Sequence, residues 1–577
     1  MQPLDYIALY MHRPARKGAG MRSISVNLIT NFTDDILERV LGGMCIAEGI
    51  YPRITRAPYK QYAIAFKDKR SIINRTKADI SYIFFDASPY QQSEFLDSGH
   101  RREILADIKA YAQSSRGTVV VSLFVLPYRG PYGHFFTEEP LFRALSEFNA
   151  DVRSLTSVCP TLHVVDTNKA FHHVGEGNAR DLRGHHAFNM PFTTDFLAAL
   201  ASEWLSYSRA ILGLSRKCIV LDLDYTLWGG VLGEEGPLGI TLGPVYPGVA
   251  YQNFQHSVLS LWERGIILAV SSKNNEADVE EVFKKNPHMI LKREHFAGLR
   301  ANWEDKSKNV RSLAEELNIG LESMVFIDDS PVERERMRRE APQVLTPEWS
   351  TEPEQYARDL FALTVFHQMA LTAEDKKRGE MYAQEYKRRE ARGASGSVKD
   401  YIAALNITMR IAEGTAIDSA RAAQMTQKTN QFNLTTKRYT ESDIKRMIKR
   451  GDMVITGEVS DTFGGYGVVI LAIIAMKKKE AVLDTFLMSC RVMGRGVEKA
   501  FLEHVATELH ARGVATLSAS FIPTRKNEPI SKFLPAEGME PLGRTSTKGV
   551  QRYELALGPY VRKRARHKGK SVIAIIR

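Results

Sequence analysis

The stretch Lys217-Cys218-Ile219-Val220-Leu221-Asp222-Leu223-Asp224-Tyr225-Thr226-Leu227-Trp228 decides the reading of this chain. It is a short apolar run ending in two carboxylates on alternate residues. Side chains alternate faces along a strand, so Asp222 and Asp224 share a face if the strand reaches that far. The chain is expected to leave strand geometry near Asp224, where a site would open. Carboxylates at the carboxyl end of a buried strand suit a divalent cation and a phosphate. An Asp in that place can also attack phosphorus. Alone, an Asp-x-Asp pair is more often a solvated strand end.

Partners follow in order downstream. Gly265-Ile266-Ile267-Leu268-Ala269-Val270 is a second apolar run, ending in Ser271-Ser272-Lys273-Asn274-Asn275. It predicts another central strand that delivers a hydroxyl to the same edge. Trp303-Glu304-Asp305-Lys306 sets a cation just before a helical pattern, and Met324-Val325-Phe326-Ile327-Asp328-Asp329-Ser330 is a third strand ending in carboxylates. Each piece has an ordinary explanation: a helix cap, a solvated lysine, a turn. The ordered set is far less expected by chance.

That set resembles the haloacid dehalogenase superfamily of phosphotransferases, through Asp222-x-Asp224-x-Thr226, Ser272, Lys306 and Asp328-Asp329. The resemblance implies Asp222 as nucleophile and Asp224 as general acid and base, with Ser272 and Lys306 holding the transferring phosphoryl group. It also implies magnesium held by Asp222, Asp329 and the backbone carbonyl of Asp224. Fixed cations and donors around a developing phosphoryl charge are what such a transfer needs. Two alternatives stay open. Ser271 competes with Ser272, because a one-residue shift flips the face, and Asp328 competes with Asp329 as the main metal ligand.

At 577 residues the chain is too long for one core and suggests about three domains. A composition 44% hydrophobic and 25% charged is ordinary for a soluble globular protein. Arg13, Arg16, Lys17 and Arg22 break up any signal-peptide core. The longest apolar runs, such as Val468 to Met476, are too short to span a bilayer, so no membrane role is expected. The four cysteines, Cys45, Cys159, Cys218 and Cys490, form no Cys-x-x-Cys pair. Zinc and a disulfide framework are therefore not indicated, and a cytoplasmic location fits. The net charge of +11 is concentrated in Arg562-Lys563-Arg564-Ala565-Arg566-His567-Lys568-Gly569-Lys570. No aromatic interleaving accompanies it, so nucleic acid is not expected, and a solvated or disordered tail is the favoured reading. A basic surface also suits an acidic protein partner.

The fold class expected is α/β throughout. Residues 1–205 alternate strands (Ser23–Leu28, Tyr82–Phe85, Thr118–Leu126) with helices (Asp35–Ile46, Arg102–Ala112), which implies a parallel sheet covered by helices. An esterase is one function for such a layer, but the nucleophile turn is missing. The pairs His172-His173 and His185-His186 point apart and read as surface or core residues. This domain is assigned to binding or scaffolding. Residues 206–364 form the haloacid-dehalogenase-type sheet, a Rossmann-like parallel arrangement. Residues 365–397 read as a charged helical linker ending in the flexible Arg392-Gly393-Ala394-Ser395-Gly396-Ser397.

Residues 398–577 make a third α/β domain. Strands are expected at Ile407–Ile411, Met453–Glu458, Tyr466–Met476 and Ala481–Met488, with a helix over Asp418–Lys428. The last strand runs into Ser489-Cys490-Arg491-Val492-Met493-Gly494-Arg495-Gly496, followed by a helical pattern to about Arg512. A strand, an Arg-x-x-Gly-x-Gly loop and a helix make an anion site, since glycines let backbone amides approach and the helix start is electropositive. The pattern resembles the pyrophosphate loop of the GNAT acyltransferase fold. Cys490 lies where Arg491 and the helix dipole favour a thiolate, which can carry an acyl group. A cysteine packing at a strand end explains it equally well.

Longer runs sharpen the resemblance. Thr226-Leu227-Trp228-Gly229-Gly230-Val231, Ser272-Lys273-Asn274-Asn275-Glu276, Asn302-Trp303-Glu304-Asp305-Lys306-Ser307 and Phe326 to Glu335 are similar to FkbH-type proteins. So are Thr426 to Thr436 and the Cys490 segment. One departure is Tyr225, where that family usually has Asn. The resemblance implies a glyceryl transferase and phosphatase that takes 1,3-bisphosphoglycerate and loads a glyceryl unit onto the phosphopantetheine thiol of an acyl carrier protein, in a polyketide-type pathway. On that reading Cys490 is the acyl-accepting thiol, and Arg491, Gly494 and Gly496 receive the carrier's phosphopantetheine phosphate. Thr226 and Asn274 then line the substrate. Gln431 and Asn433 either bond the glyceryl group or support a loop. The competing reading is a magnesium-dependent phosphatase of a small phosphorylated metabolite.

Overall fold

Runs of β-branched and aliphatic residues punctuated by acids and glycines build three sheets. A computed structural model describes residues 1–14, 17–18, 20–87, 94–126, 132–369, 388, 402–429, 431–477, 480–524, 527–544, 550–565 and 573–576. The chain divides into two compact units, Met1–Leu212 and Gly213–Arg577.

The first unit holds five strands: β1 (Arg22–Thr30), β2 (Ile50–Arg56), β3 (Ile80–Phe84), β4 (Thr118–Ser122) and β5 (Leu162–Val165). They form an all-parallel sheet in the order β2-β1-β3-β4-β5. Parallel strands need crossovers, and helices such as Asp35–Ala47 and Ser98–Ser114 supply them. The strand expected over Thr118–Leu126 ends early, at Ser122. His172-His173 and His185-His186 fall in the last turns of two short helices.

The second unit opens with β6 (Cys218–Leu221), β7 (Ile267–Ser272), β8 (Phe296–Ala301) and β9 (Met324–Ile327), parallel in the order β8-β7-β6-β9. Alternation sorts their side chains into two cores. Cys218, Val220, Ile267, Ala269, Met324 and Phe326 pack on one face. Ile219, Leu221, Leu268, Val270, Val325 and Ile327 pack on the other. Both faces are buried, as a sheet covered on two sides requires. Three helices start beside the carboxyl edge: Glu276–Lys285, Lys306–Glu316 and Pro331–Glu340. The last is started by Ser330, whose side chain accepts from the Glu333 amide, with Pro331 in the first helical position.

The remaining strands are β10 (Thr408–Glu413), β11 (Phe432–Asn433), β12 (Met453–Asp461), β13 (Gly464–Lys477), β14 (Glu480–Met488), β15 (Thr516–Phe521), β16 (Glu540–Arg544), β17 (Gln551–Ala556) and β18 (Ala574–Ile576). They form a mixed sheet in the order β16-β17-β15-β14-β13-β12-β10-β18, with β11 pairing β14. The β14–β15 pair is parallel and joined by the helix Val497–Ala511. Arg388 is fully buried and grips Asp461 with two hydrogen bonds of 2.8 Å. The basic block departs from the expected tail at its start: Leu557–Ala565 is a helix seated on buried Leu557 and Tyr560, with Arg564 paired to Glu503 and Glu537. The expected linker beyond 369, apart from Arg388, and the block from Arg566 to Lys570 lie outside the described residues. No helix among the described residues is long and apolar enough to cross a membrane.

Candidate active site

β6 is central in its sheet, so the residues that follow it are flanked by the ends of β7 and β9. The strand stops at Leu221, one residue before the first carboxylate. Asp222 is buried, and the chain then folds into a turn in which the Leu223 carbonyl accepts from the amides of Thr226 at 3.1 Å and Leu227 at 2.8 Å. Strand alternation makes Asp222, Ser271 and Asp328 the next residues on the face occupied by Val220, Ala269 and Phe326.

Lys306 holds this group together. Its Nζ lies 2.7 Å from Asp222 Oδ2 and 2.6 Å from Asp328 Oδ2, with all three side chains buried. Burial alone would lower the ammonium pKa, but the two carboxylates outweigh it and hold the group charged. One oxygen each from Asp222, Asp328 and Asp329 gathers within 4.8 Å. Burial first, and the nearby Asp222 charge second, push the Asp329 carboxyl up to about 6. The same two causes raise Asp328. Two of the three carboxylates pair with the one ammonium, and Asp222 Oδ1 is buried with no hydrogen-bond partner among the described residues. An uncompensated buried carboxylate oxygen in such a cluster fits a divalent cation. Arg334 donates to the carbonyls of Asp328 at 2.9 Å and Asp329 at 2.6 Å, fixing the backbone that carries both.

Asp224 has a different set of partners. Its Oδ1 accepts from Trp228 Nε1 at 2.9 Å and from the Leu232 amide at 3.2 Å, and its Oδ2 accepts from Asn274 Nδ2 at 3.0 Å. Its carboxylate is absent from the acidic trio, so its remaining offer to a cation is the backbone carbonyl. Burial raises its pKa against these three donors, with the Asp222 charge adding to the rise. A carboxyl whose burial favours its protonated form suits a general acid.

Asn274 Nδ2 also donates to Ser272 Oγ at 3.1 Å, which ties Ser272 to the Asp224 side. Ser271 Oγ and Thr226 Oγ1 are both buried without a partner among the described residues. The structure thus brings together Asp222, Asp224, Asn274, Ser272, Lys306 and Asp329, and adds Asp328 to the trio. Sequence reasoning missed Trp228, Arg334 and the Leu232 amide. Trp228 and Arg334 both lie in runs quoted above, but their residue types alone gave neither a place in the site.

In the second candidate region, Cys490–Val492 form a short 3₁₀ turn after β14, and the side chain of Cys490 lies outside the described part. Gly494 and Gly496 take φ of +74° and +80°, a left-handed conformation that favours glycine. Gly496 caps the helix Val497–Ala511. Arg491 Nε donates to Ser489 Oγ at 3.2 Å. Asn433 is fully buried and committed to its own loop. Its amide donates to the Thr429 carbonyl at 3.0 Å, and its Oδ1 accepts from the amides of Thr435 and Thr436. Gln431 is half-buried just before β11.

Residues 217–376 match the profile of the NLI interacting factor-like phosphatase family. The crystal structure of the N-terminal part of protein BF1531 from Bacteroides fragilis, containing a phosphatase domain complexed with Mg, is similar over 64% of this chain and 100% of its own. The identity is 26% and the TM-score 0.59. Two acetyltransferase structures are similar over smaller parts. The ribosomal-protein-S18-alanine N-acetyltransferase from Escherichia coli covers 25% of this chain and 90% of its own, at 18% identity and a TM-score of 0.20. The PaiA N-acetyltransferase from Thermoplasma acidophilum covers 20% and 72%, at 12% identity and a TM-score of 0.18. No curated protein matches the chain. The chain therefore carries a phosphatase domain of the haloacid dehalogenase type, and the residues that converge at the end of β6 are its candidate active site.

Proposed function

We propose that this chain is a two-part enzyme that transfers a glyceryl unit from 1,3-bisphosphoglycerate to the phosphopantetheine thiol of an acyl carrier protein, with removal of the second phosphate. The observation that carries the phosphatase half is the convergence of Asp222, Asp328 and Asp329 around Lys306. Asp222, with one oxygen unpaired, is the nucleophile toward phosphorus. Asp224, steadied by Asn274 and Trp228, delivers a proton to the departing oxygen and later takes one from water. Lys306 and Ser272 hold the phosphoryl oxygens. Magnesium, which the solved relative contains, would be held by Asp222, Asp329 and the Asp224 carbonyl, with Asp328 beside them, and would neutralise charge on the transferring group.

The acyl half rests on the resemblance to FkbH-type proteins and on the strand–glycine loop–helix arrangement after β14. An acyl phosphate is already activated. The Cys490 thiolate attacks the acyl carbon, a C–S bond forms, and the C–O bond to the 1-phosphate breaks. The carrier thiol then takes the acyl group by thioester exchange. Arg491, Gly494 and Gly496 receive the carrier's phosphate, and the excess positive charge suits an acidic carrier.

Intact-mass measurement of a carrier protein incubated with enzyme, magnesium and 1,3-bisphosphoglycerate tests both halves. A glyceryl adduct is expected. Phosphate release that persists undiminished in C490A, with no adduct on any carrier, would leave only a phosphatase of small metabolites.

A further inference from the structure

The turn that carries the two aspartates is tightly determined. Leu223, Thr226, Leu227 and Trp228 are completely buried, and the Leu223 carbonyl gathers the amides of the residues that follow Tyr225. The Tyr225 carbonyl accepts from the buried Tyr356 hydroxyl at 2.9 Å. These contacts force Tyr225 into the left-handed region, at φ +52°. Glycine or asparagine would sit there at little cost, whereas a bulky side chain is strained. Within Asp222 to Gly230, Tyr225 is nonetheless the exposed residue, with 47% of its surface open. Its ring thus does not contribute the core packing that would explain it.

Its surroundings point outward from the site. Tyr225 follows Asp224 directly. Tyr251, buried behind the turn, lies near enough to Asp329 to feel its charge, which adds to the effect of its burial. A second exposed ring stands across from it in the bonding scheme. Trp303, 72% exposed, donates from Nε1 to Asn275 Oδ1 at 3.2 Å, and the adjacent Asn274 bonds Asp224. Trp303 also lies three residues before Lys306. Two open aromatic faces are therefore anchored to the loops that hold the reacting carboxylates. Strain of this kind persists where the position has a use, and exposed rings beside a polar site offer apolar contact to a ligand.

We propose that Tyr225 is a specificity-determining residue of the phosphoryl site, its ring bearing on the organic part of the phosphate ester, with Trp303 as a second lip. An apolar contact of this kind favours esters with carbon surface next to the phosphate, the carbon chain of a phosphoglyceryl unit included, and favours a planar ring most. This rests on the phosphatase reading of Asp222 and extends it to the substrate class.

The test compares magnesium-dependent phosphate release from phenyl phosphate and from 3-phosphoglycerate, in wild type, Y225N and Y225F. For Y225N the ratio of kcat/KM, phenyl phosphate over 3-phosphoglycerate, is expected to fall about three- to tenfold, carried by KM. Y225F keeps the ring and is expected to keep the ratio within about twofold. An unchanged ratio in Y225N, or an equal fall in Y225F, would overturn this proposal while leaving the phosphatase reading intact. Release from neither ester by the wild type would overturn both.

Discussion

The ammonium of Lys306 lies 2.7 Å from the carboxylate of Asp222, with each side chain less than a tenth exposed. The proposed nucleophile is therefore held by a charge that cannot escape to water. Removing one partner of a buried pair leaves the other uncompensated, at a cost of about 3–5 kcal/mol. Lys306→Met is expected to lower the urea midpoint accordingly and to reduce phosphate release at least about 100-fold. Parallel unfolding and phosphate-release measurements check it, and wild-type stability in the variant would show that the pair contributes nothing.

Metal binding should depend on pH through Asp329. Its carboxyl, lifted to about 6, carries a proton below that value in the metal-free protein. A cation must displace that proton, so affinity weakens as pH falls, by about tenfold per unit for each proton released. The rise in Tm produced by magnesium should be small at pH 5 and larger at pH 7. Asp329→Asn should flatten the dependence and reduce the increment. Differential scanning fluorimetry with and without magnesium reads both effects.

His163, on β5, gives the first unit an acid limit. Its ring packs 5.9 Å from that of Tyr207, and burial pulls its pKa down to about 4. The unfolded chain would take up a proton near pH 6.5, and the folded one resists until about 4. Between those values the unfolded state binds more protons, so stability is intact above pH 6.5 and falls as pH drops toward 4. Allowing for the ring's partial exposure, the loss is about 1–3 kcal/mol. The protection of β4 and β5 amides, taken relative to intrinsic exchange at each pH, should fall from pH 7 to 5 in the wild type and change less in His163→Gln.

Relieving the left-handed turn at Tyr225 should stabilise the second unit. Tyr225→Asn keeps the backbone path and replaces a strained residue with one that visits this region readily, for a gain of up to about 1 kcal/mol. Chemical denaturation measures it, and a loss of stability would mean that the ring packs better than its exposure indicates.

Much of the central sheet was legible because its strands are unbroken apolar runs that end in acids or hydroxyls. Such runs have few other ways to be buried, so Cys218–Leu221, Ile267–Ser272 and Met324–Ile327 followed from hydropathy. The partners of Asp224 did not, since Asn274, Trp228 and the Leu232 amide meet it only after the turn closes. The turn itself carried no glycine or asparagine at Tyr225 to announce its left-handed backbone. Asn433 stayed open between binding a ligand and supporting a loop because a buried amide and a substrate-binding amide are identical in sequence. The helix Leu557–Ala565 was hidden by its charges, although Leu557 and Tyr560 are buried beneath it and Arg564 pairs with Glu503 and Glu537.

Alternation in β6, β7 and β9 delivers Asp222, Ser271 and Asp328 to one side of the sheet. That arrangement sets a rule for how this domain can evolve. One residue gained or lost within Cys218–Leu221 would exchange the two cores and swing the nucleophile away from Lys306. A change of two residues would preserve the facing. The far ends of the outer helices can drift in length with little consequence, while the short strands beneath them are confined to even steps.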